Sequence, residues 1–339
     1  MKVDSPDIDR QALGRVIEEQ YGLCAVELRF VPGGEESYGY VLETSAQSRY
    51  FAKVYEHPPE LGVRYKAANK LHTQCGLDFV VHPYATRHGE FHADLGQYAV
   101  AVFDLIDGTV SDRSAFSDEE WQQAARLAAR LHRSLHCPAL PSLPEEGFEI
   151  WFEDWLSSVL SATGDSRPLD SECEREARAL LARERDDILI ALEELRQLAG
   201  RAQAIPFERA LTHGDLTPEN LIKDHDGGLH LIDWGKVAIA PPERDLVNWI
   251  GERFEPFLEA YVGSYDRVPR LYPELFAFFR TFLVLWGITD YGSWILLKDA
   301  DPVEKQHAWT ALQQRLPIKH EQIEEDGVGE AIRRVTGGS

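Results

Sequence analysis

The sequence predicts an α+β fold with a small antiparallel sheet and helices at the N-terminal end and a larger, mostly helical C-terminal part. Three observations lead there. Between Val26 and Val54, and again at Gln97–Phe103, β-branched and aromatic residues form short runs separated by Gly, Pro and Ser, as in strands joined by tight turns. From Ser117 onward apolar residues recur at three- and four-residue spacings, the helical period. A chain of 339 residues is also long enough for two lobes. The expected division is residues 1–104 for the first and 105–339 for the second.

In chain order, Ser5–Tyr21 reads as a helix capped by Ser5 or Asp7, with Ala12, Leu13, Val16 and Ile17 as its apolar stripe. Strands follow at Val26–Val31, Tyr38–Leu42 and Tyr50–Val54, and Pro32–Ser37 turns between the first two. Lys53 lies inside the third strand. An ammonium among apolar neighbours is costly unless an anion meets it, so Lys53 either has such a partner or stands on an edge facing water. A helix from about Pro59 to Cys75 comes next, with Glu60 as its only acidic residue. Phe79–Val81 and Gln97–Phe103 read as two more strands, the second running into Asp104–Gly108. His82, His88 and His92 lack metal-ligand spacing and read as surface residues.

Ser117–Glu120 is a capping-box start to a helix with Trp121, Ala124, Ala125, Leu127, Ala128 and Leu131 on its apolar face. Phe148–Leu160 reads as another helix, Gly164–Asp170 as a surface linker, and Ser171–Ala199 as one long charged helix. There Leu181, Ile188 and Leu195 recur every seven residues, which fits packing against the core, with a coiled-coil dimer as the alternative. A monomer or homodimer is expected. Phe254–Tyr265 and Tyr272–Leu297 form terminal helices; from about Glu321 the chain is polar and Gly-rich, and its final residues are expected to be disordered.

Composition narrows the partners. No apolar run approaches the roughly 20 residues of a membrane span. The start of the chain has no secretory apolar region. Four cysteines lie far apart without a CxxC, so neither a zinc site nor a disulfide framework is expected, and a reducing cytoplasm fits best. A net charge of −22 argues against nucleic acid, which needs a basic footprint. It is compatible with a cationic small molecule, or with an acidic surface that keeps the protein soluble.

The chemistry concentrates in Leu211–Ile222 and Leu229–Gly235, short apolar strands flanking a polar loop, with Gly227–Gly228 as a hairpin turn. His213, Asp215, Asn220 and then Asp233 occur in that order. Singly these are ordinary turn residues. Together they match what phosphoryl transfer requires: one carboxylate to take the proton of an attacking hydroxyl, and an amide oxygen and a second carboxylate to hold Mg²⁺.

The ordered set HxDxxxxN, apolar strand, Asp-Trp-Gly resembles the catalytic and metal-binding loops of protein-kinase-like folds, in the version used by the aminoglycoside phosphotransferase and choline kinase family. An Asp-Leu pair about ten residues past the metal Asp, here Asp245–Leu246, strengthens the likeness. Ile232–Leu246 and Asp290–Gly292 look most like the spectinomycin phosphotransferase branch. The resemblance implies a bilobal fold, ATP or GTP as co-substrate, and Mg²⁺.

It also implies roles. Asp215 is the base, Asn220 and Asp233 are the metal ligands, and Lys53, paired with Glu60, orients the α/β-phosphates. Backbone groups near Ser37 cover the phosphates, Asp104 and Ile106 form the purine-binding hinge, and Ile232 completes the nucleotide site. Acceptor contacts fall on the terminal helices at Trp286 and Asp290 and, past the metal loop, at Glu243. An acid among aromatics suits a cationic or sugar-like ligand, although a core helix with one paired Asp reads the same way. His213 reads as a structural hydrogen-bonding residue. Gly235 stands where some relatives carry a second acid. An aminocyclitol or aminoglycoside antibiotic is the favoured acceptor. A housekeeping kinase of choline, ethanolamine, homoserine, methylthioribose or an amino-sugar is the alternative, followed by a catalytically silent nucleotide-binding protein.

Overall fold

The structure is a computed structural model that describes residues 2–5, 7–35, 37–56, 61–110, 113, 116–165, 171–318 and 327–337. It divides into two compact units, one made of Lys2–Glu145 with Glu208–Pro269, the other of Glu146–Phe207 with the chain from Arg270 onward.

The first unit opens with helix α1 (Arg10–Tyr21). Its cap is Asp9, whose carboxylate accepts from Gln11 and Ala12 N–H. Ser5 is used one turn earlier, its hydroxyl accepting from the Asp7 N–H, so neither of the expected caps holds the helix. Strands β1 (Ala25–Val31), β2 (Ser37–Thr44), β3 (Arg49–Tyr55), β4 (Ala93–Leu95) and β5 (Tyr98–Asp104) form an antiparallel sheet in the order β1-β2-β3-β5-β4. Alternate residues Tyr38, Tyr40 and Leu42 of β2, Ala52 and Val54 of β3, and Val100 and Val102 of β5 pack against Leu13 and Ile17 of α1. Because side chains alternate along a strand, Lys53 must point to the opposite face. This alternation directs the residue toward the chemistry.

Helix α2 (Leu61–Thr73) follows; Glu60 lies outside the described residues, and the helix itself contains no acid. Phe79–Val81 is not a strand. It makes one isolated parallel bridge at Val80, using the backbone of Leu231, and a run this short gains no further ladder. Strand β4 was not expected. The unit continues with β6 (Gly108–Val110), α3 (Asp118–Arg133), β7 (Ala210–Thr212), β8 (Leu221–Asp224), β9 (Leu229–Leu231), β10 (Ala238–Ala240), the short helix α7 (Glu243–Leu246) and α8 (Phe254–Val262). The predicted capping box of Ser117 and Glu120 is present at α3. Strands β8 and β9 form the expected hairpin, with β6 on the outer side of β8, and β7 pairs with β10.

Contrary to the expectation from spacing, Cys75 and Cys137 form a disulfide that joins the end of α2 to the segment after α3. The two cysteines are 62 residues apart in sequence, and spacing rules do not see pairs that only the fold brings together.

The second unit holds α4 (Glu153–Ala162), α5 (Glu172–Arg183), α6 (Arg185–Ala202), α9 (Pro273–Leu296), α10 (Pro302–Arg315) and α11 (Val328–Thr336). The single long helix expected from Ser171 is two helices, broken at Glu184 with φ −88° and ψ 5°. Its N–H closes α5 on Leu180, and its carbonyl opens α6 by accepting from Ile188. Leu181, Ile188 and Leu195 are all fully buried, so the seven-residue repeat marks core packing within the unit. Gly292 lets α9 lie close to α4, since a Cβ there would stand 2.6 Å from Val159 Cγ1. The final residues, of which disorder is expected, lie outside the described residues, and an unpredicted helix precedes them. Val328, Ala331 and Ile332 share one helical face, and burial of the last two gives α11 an apolar anchor. No helix is long and apolar enough to cross a membrane among the described residues.

Candidate functional site

The polar groups singled out from the sequence are carried by the turns between β7 and β10. After β7 the chain passes through His213, Gly214 and Asp215, then a short 3₁₀ turn at Pro218–Asn220 that ends on β8. After β9 it reaches Asp233, whose backbone is left-handed (φ 69°, ψ 62°). Such a conformation is uncommon outside glycine, although Asp tolerates it, and it concentrates at functional sites. Here it turns the carboxylate to Lys53: Nζ lies 2.8 Å from Oδ1, with the lysine side chain only 13% exposed. Lys53 therefore has the anionic partner its burial demanded, and among the described residues that partner is Asp233. Burial alone would push the Asp233 carboxyl up, but the Lys53 ammonium, helped by Lys236, holds it below the usual carboxylate range.

Asp215 sits across from a second cation, Lys236 Nζ at 3.2 Å from Oδ2. Asn220 donates its amide to the Asp215 backbone carbonyl at 2.8 Å, which leaves the amide oxygen as the atom able to serve as a ligand. His213 is fully buried. Its Nδ1 accepts from the Asp215 N–H at 3.3 Å, so Nε2 is the donor, at 2.9 Å to the Ile232 carbonyl. Burial depresses its pKa, which keeps the ring neutral. The ring also packs edge-on against Trp234, and this is the structural role expected of it.

Beneath the loop is a buried network that sequence reasoning did not assemble. Asp245 has no exposed surface, accepts from the His213 N–H and the Gly214 N–H at 2.7 Å each, and meets His132 Nε2 at 3.0 Å. His132 continues to the Tyr261 hydroxyl at 2.8 Å, and Tyr261 to Tyr265 at 2.8 Å. Burial pushes the Asp245 carboxyl up; the hydrogen bond and charge of His132, with the Arg244 guanidinium, outweigh it and leave the group below its ordinary range. Gly214 is required twice over: its φ is +85°, and a Cβ would stand 2.6 Å from the Arg244 guanidinium and the Lys236 carbonyl. The only advance signal was the Asp245–Leu246 pair; His132 looked like any residue of an amphipathic helix.

The other expected residues are placed as follows. Ser37 is buried at the start of β2, paired with Tyr55. Asp104 ends β5, with its carboxylate accepting from the Tyr84 hydroxyl at 2.7 Å, and Ile106 lies between β5 and β6. Ile232 uses its N–H on the Asn220 carbonyl. Glu243 is fully buried at the start of α7 and presents no surface to a ligand as it stands. In the helical unit, Trp286 joins Trp151, Trp155 and Phe152 in an aromatic cluster, with ring centroids 4.5, 5.4 and 5.8 Å away. Asp290 lies 3.7 Å from Lys298, whose ammonium rests over Trp155 and Trp294.

Three comparisons bear on this arrangement. Residues 27–278 match the phosphotransferase enzyme family. Over 336 residues the chain is 24% identical to protein StrN of Streptomyces griseus, covering 94% of this chain and 97% of StrN. Among solved structures it is similar to spectinomycin phosphotransferase in complex with ADP and spectinomycin, with a TM-score of 0.75 at 16% identity over 96% of this chain and 100% of that one. It is also similar to amicoumacin kinase in complex with AMP-PNP and Ca²⁺, with a TM-score of 0.60 at 16% identity over 92% and 96%. The expected kinase-like α+β fold is thus the fold of these neighbours.

Proposed function

Because the chain belongs to the phosphotransferase enzyme family, whose members phosphorylate small-molecule hydroxyls, we propose that it moves the γ-phosphoryl group of ATP or GTP to an aminocyclitol or aminoglycoside. The observation that carries the reading is the Lys53–Asp233 pair, which joins strand β3 to the turn after β9, next to the β7–β8 loop that bears Asp215 and Asn220 and whose Asn220 carbonyl accepts from the Ile232 N–H. The antibiotic acceptor is supported by the fold match to a spectinomycin-binding enzyme over its whole length.

In this mechanism Asp215 accepts the proton of the acceptor hydroxyl as its oxygen bonds to the γ-phosphorus. The bond from that phosphorus to the β,γ-bridging oxygen breaks, and the nucleoside diphosphate leaves with the electron pair. Proton acceptance of this kind contributes roughly 10²–10⁴-fold. Lys53 orients the α/β-phosphates, and backbone groups at Ser37 cover them. Asp104, Ile106 and Ile232 border the base, and residues 1–104 form the nucleotide-binding lobe.

The Asn220 oxygen and the Asp233 carboxylate are hard donors of the type Mg²⁺ takes when phosphates and water complete its shell. When bound, the ion neutralises charge on the phosphate oxygens. Trp286 and Asp290 supply the acceptor contacts, with Glu243 as a buried support. Asp290 and the tryptophan faces beside it hold the Lys298 ammonium, and an amino-substituted acceptor would use the same groups by taking that ammonium's place.

The test is nucleoside-diphosphate release with ATP and GTP across aminocyclitols, aminoglycosides, amino-alcohols and amino-sugars, paired with inhibitory concentrations in a susceptible host. Turnover confined to amino-alcohols, with no host protection, would favour the housekeeping alternative. Background hydrolysis unchanged in Asp215→Ala would favour a catalytically silent protein.

A further inference from the structure

Lys236 has no role in the mechanism above, yet it faces the carboxylate assigned as the base. Its Nζ is 3.2 Å from Asp215 Oδ2. The backbone that delivers it is pinned. The Lys236 carbonyl accepts from both terminal nitrogens of Arg244 at 3.1 Å, and the carbonyl of Gly235 accepts from Arg64 Nη1 at 2.5 Å. With exposures of 39% for Lys236 and 36% for Asp215, the pair stays open to a ligand. Gly235 is not imposed by conformation or crowding. Its φ is not left-handed, and a Cβ there would meet only ordinary contacts, at 3.9 Å from Asp233 Oδ1 and 4.0 Å from Leu61 Cδ1. A side chain fits at 235, and this chain puts its charged group at 236 instead.

A hydroxyl hydrogen-bonded to Asp215 in an attacking geometry has its oxygen about 3–3.5 Å from the phosphorus. An ammonium within hydrogen-bond reach of the same carboxylate oxygen is then within one further hydrogen bond of the phosphoryl oxygens. Without a cation there, the Asp215 carboxylate would repel the anion it must approach.

We propose that Lys236 is a phosphate-binding residue whose ammonium bridges Asp215 and a non-bridging oxygen of the γ-phosphoryl group. This rests on the phosphotransfer reading and extends it. Lys53 serves the leaving side of the transferred group and Lys236 the entering side. Lys236 keeps its proton throughout; the acceptor's proton goes to Asp215, and the electron pair goes to the departing diphosphate. Donors aimed at developing charge in this way typically contribute 10²–10³ in kcat.

The test is calorimetric titration of wild type, Lys236→Met and Lys236→Arg with ADP and with the β,γ-imido analogue of ATP, each with and without Mg²⁺, beside kcat and acceptor KM. The expected result is at least a tenfold loss of analogue affinity in Lys236→Met, with ADP affinity unchanged within twofold and recovery in Lys236→Arg. Turnover should fall by 10²–10³ while acceptor KM stays constant. Equal weakening of ADP and analogue, or no change in either, overturns the assignment while leaving the phosphotransferase reading intact if wild type still turns over. Wild type that binds neither nucleotide overturns both.

Discussion

Replacing Asp245 with Asn is the sharpest probe of how the loop is held. The carboxylate accepts three hydrogen bonds: Oδ2 from the His213 N–H and His132 Nε2, Oδ1 from the Gly214 N–H. An amide keeps one oxygen. In its better orientation it retains the two bonds at the Oδ2 position and sets an NH₂ against the Gly214 N–H. The variant thus loses one bond to a charged acceptor, about 1.5–3 kcal/mol, and strands a buried donor. Losing the charge that His132 and Arg244 face moves the total toward the 3–5 kcal/mol typical of broken buried pairs. We expect about 3–4 kcal/mol from urea unfolding at pH 7, and a fall in kcat of about 10²-fold, because Asp215 directly follows Gly214, whose amide is released.

The pH dependence adds a second check. The Asp245 carboxyl has a lower pKa folded than unfolded, so its contribution is complete above about pH 4, the unfolded value, and is lost as pH falls through the folded one. The gap between wild type and Asp245→Asn should therefore narrow in acid. Tyr261→Phe, which leaves all three bonds to the carboxylate in place, should keep most of the activity. A gap under about 0.5 kcal/mol at pH 7, the range of ordinary surface changes, would refute the reasoning.

Other outcomes follow from the same geometry. Gly214→Ala should lose at least 10²-fold in kcat and about 2 kcal/mol or more in stability, since the left-handed backbone and the 2.6 Å approach to Arg244 leave no room; wild-type kinetics would show that the loop relaxes freely. In the helical unit, burial pushes Glu174 up, but Lys305 at 2.7 Å and the Ser171 cap bring it down to about 2. Its stabilisation should be complete above about pH 4.5 and lost toward pH 2, so Glu174→Gln should be less stable than wild type at pH 7 and nearly equal at pH 2, by unfolding midpoint. Closing a 62-residue loop with the Cys75–Cys137 disulfide contributes about 4 kcal/mol in the chain-entropy view. Reductant should lower the wild-type urea midpoint and leave Cys137→Ser, already lowered, unchanged.

How much of this could be read in advance depended on whether the signal was local. Strand alternation gave the side of Lys53, and its burial required an anion; the partner's identity was not legible, because Glu60 is the one acid of the next predicted helix, while Asp233 is near only in space. The ordered polar set at 213–233 announced itself because strand, turn and loop chemistry agreed over a short stretch. His132 and Asp245 did not, since a buried polar pair on two separate helices looks like two surface residues until the helices pack. The break at Glu184 has no Gly or Pro to mark it, so propensity read straight through. Helix α11 was missed although Val328, Ala331, Ile332 and Val335 stand at helical spacing, because the polar, Gly-rich composition of the whole end outweighed so short a stripe.

The charge balance of the site answers an objection raised by the bulk composition. A chain of net charge −22 seems poorly suited to bind a polyanionic nucleotide. Yet the screening length at physiological salt is about 8 Å, so distant surface carboxylates are largely muted at the loop. What a phosphate meets there is local: Lys53 beside Asp233 and Lys236 beside Asp215, two cations against two carboxylates. On the proposed reading, each lysine meets a phosphate oxygen beside or in place of its carboxylate, so the nucleotide's charge is met by cations already in the loop. The same reading leaves the acidic remainder of the surface to favour a cationic acceptor without weakening the nucleotide's hold.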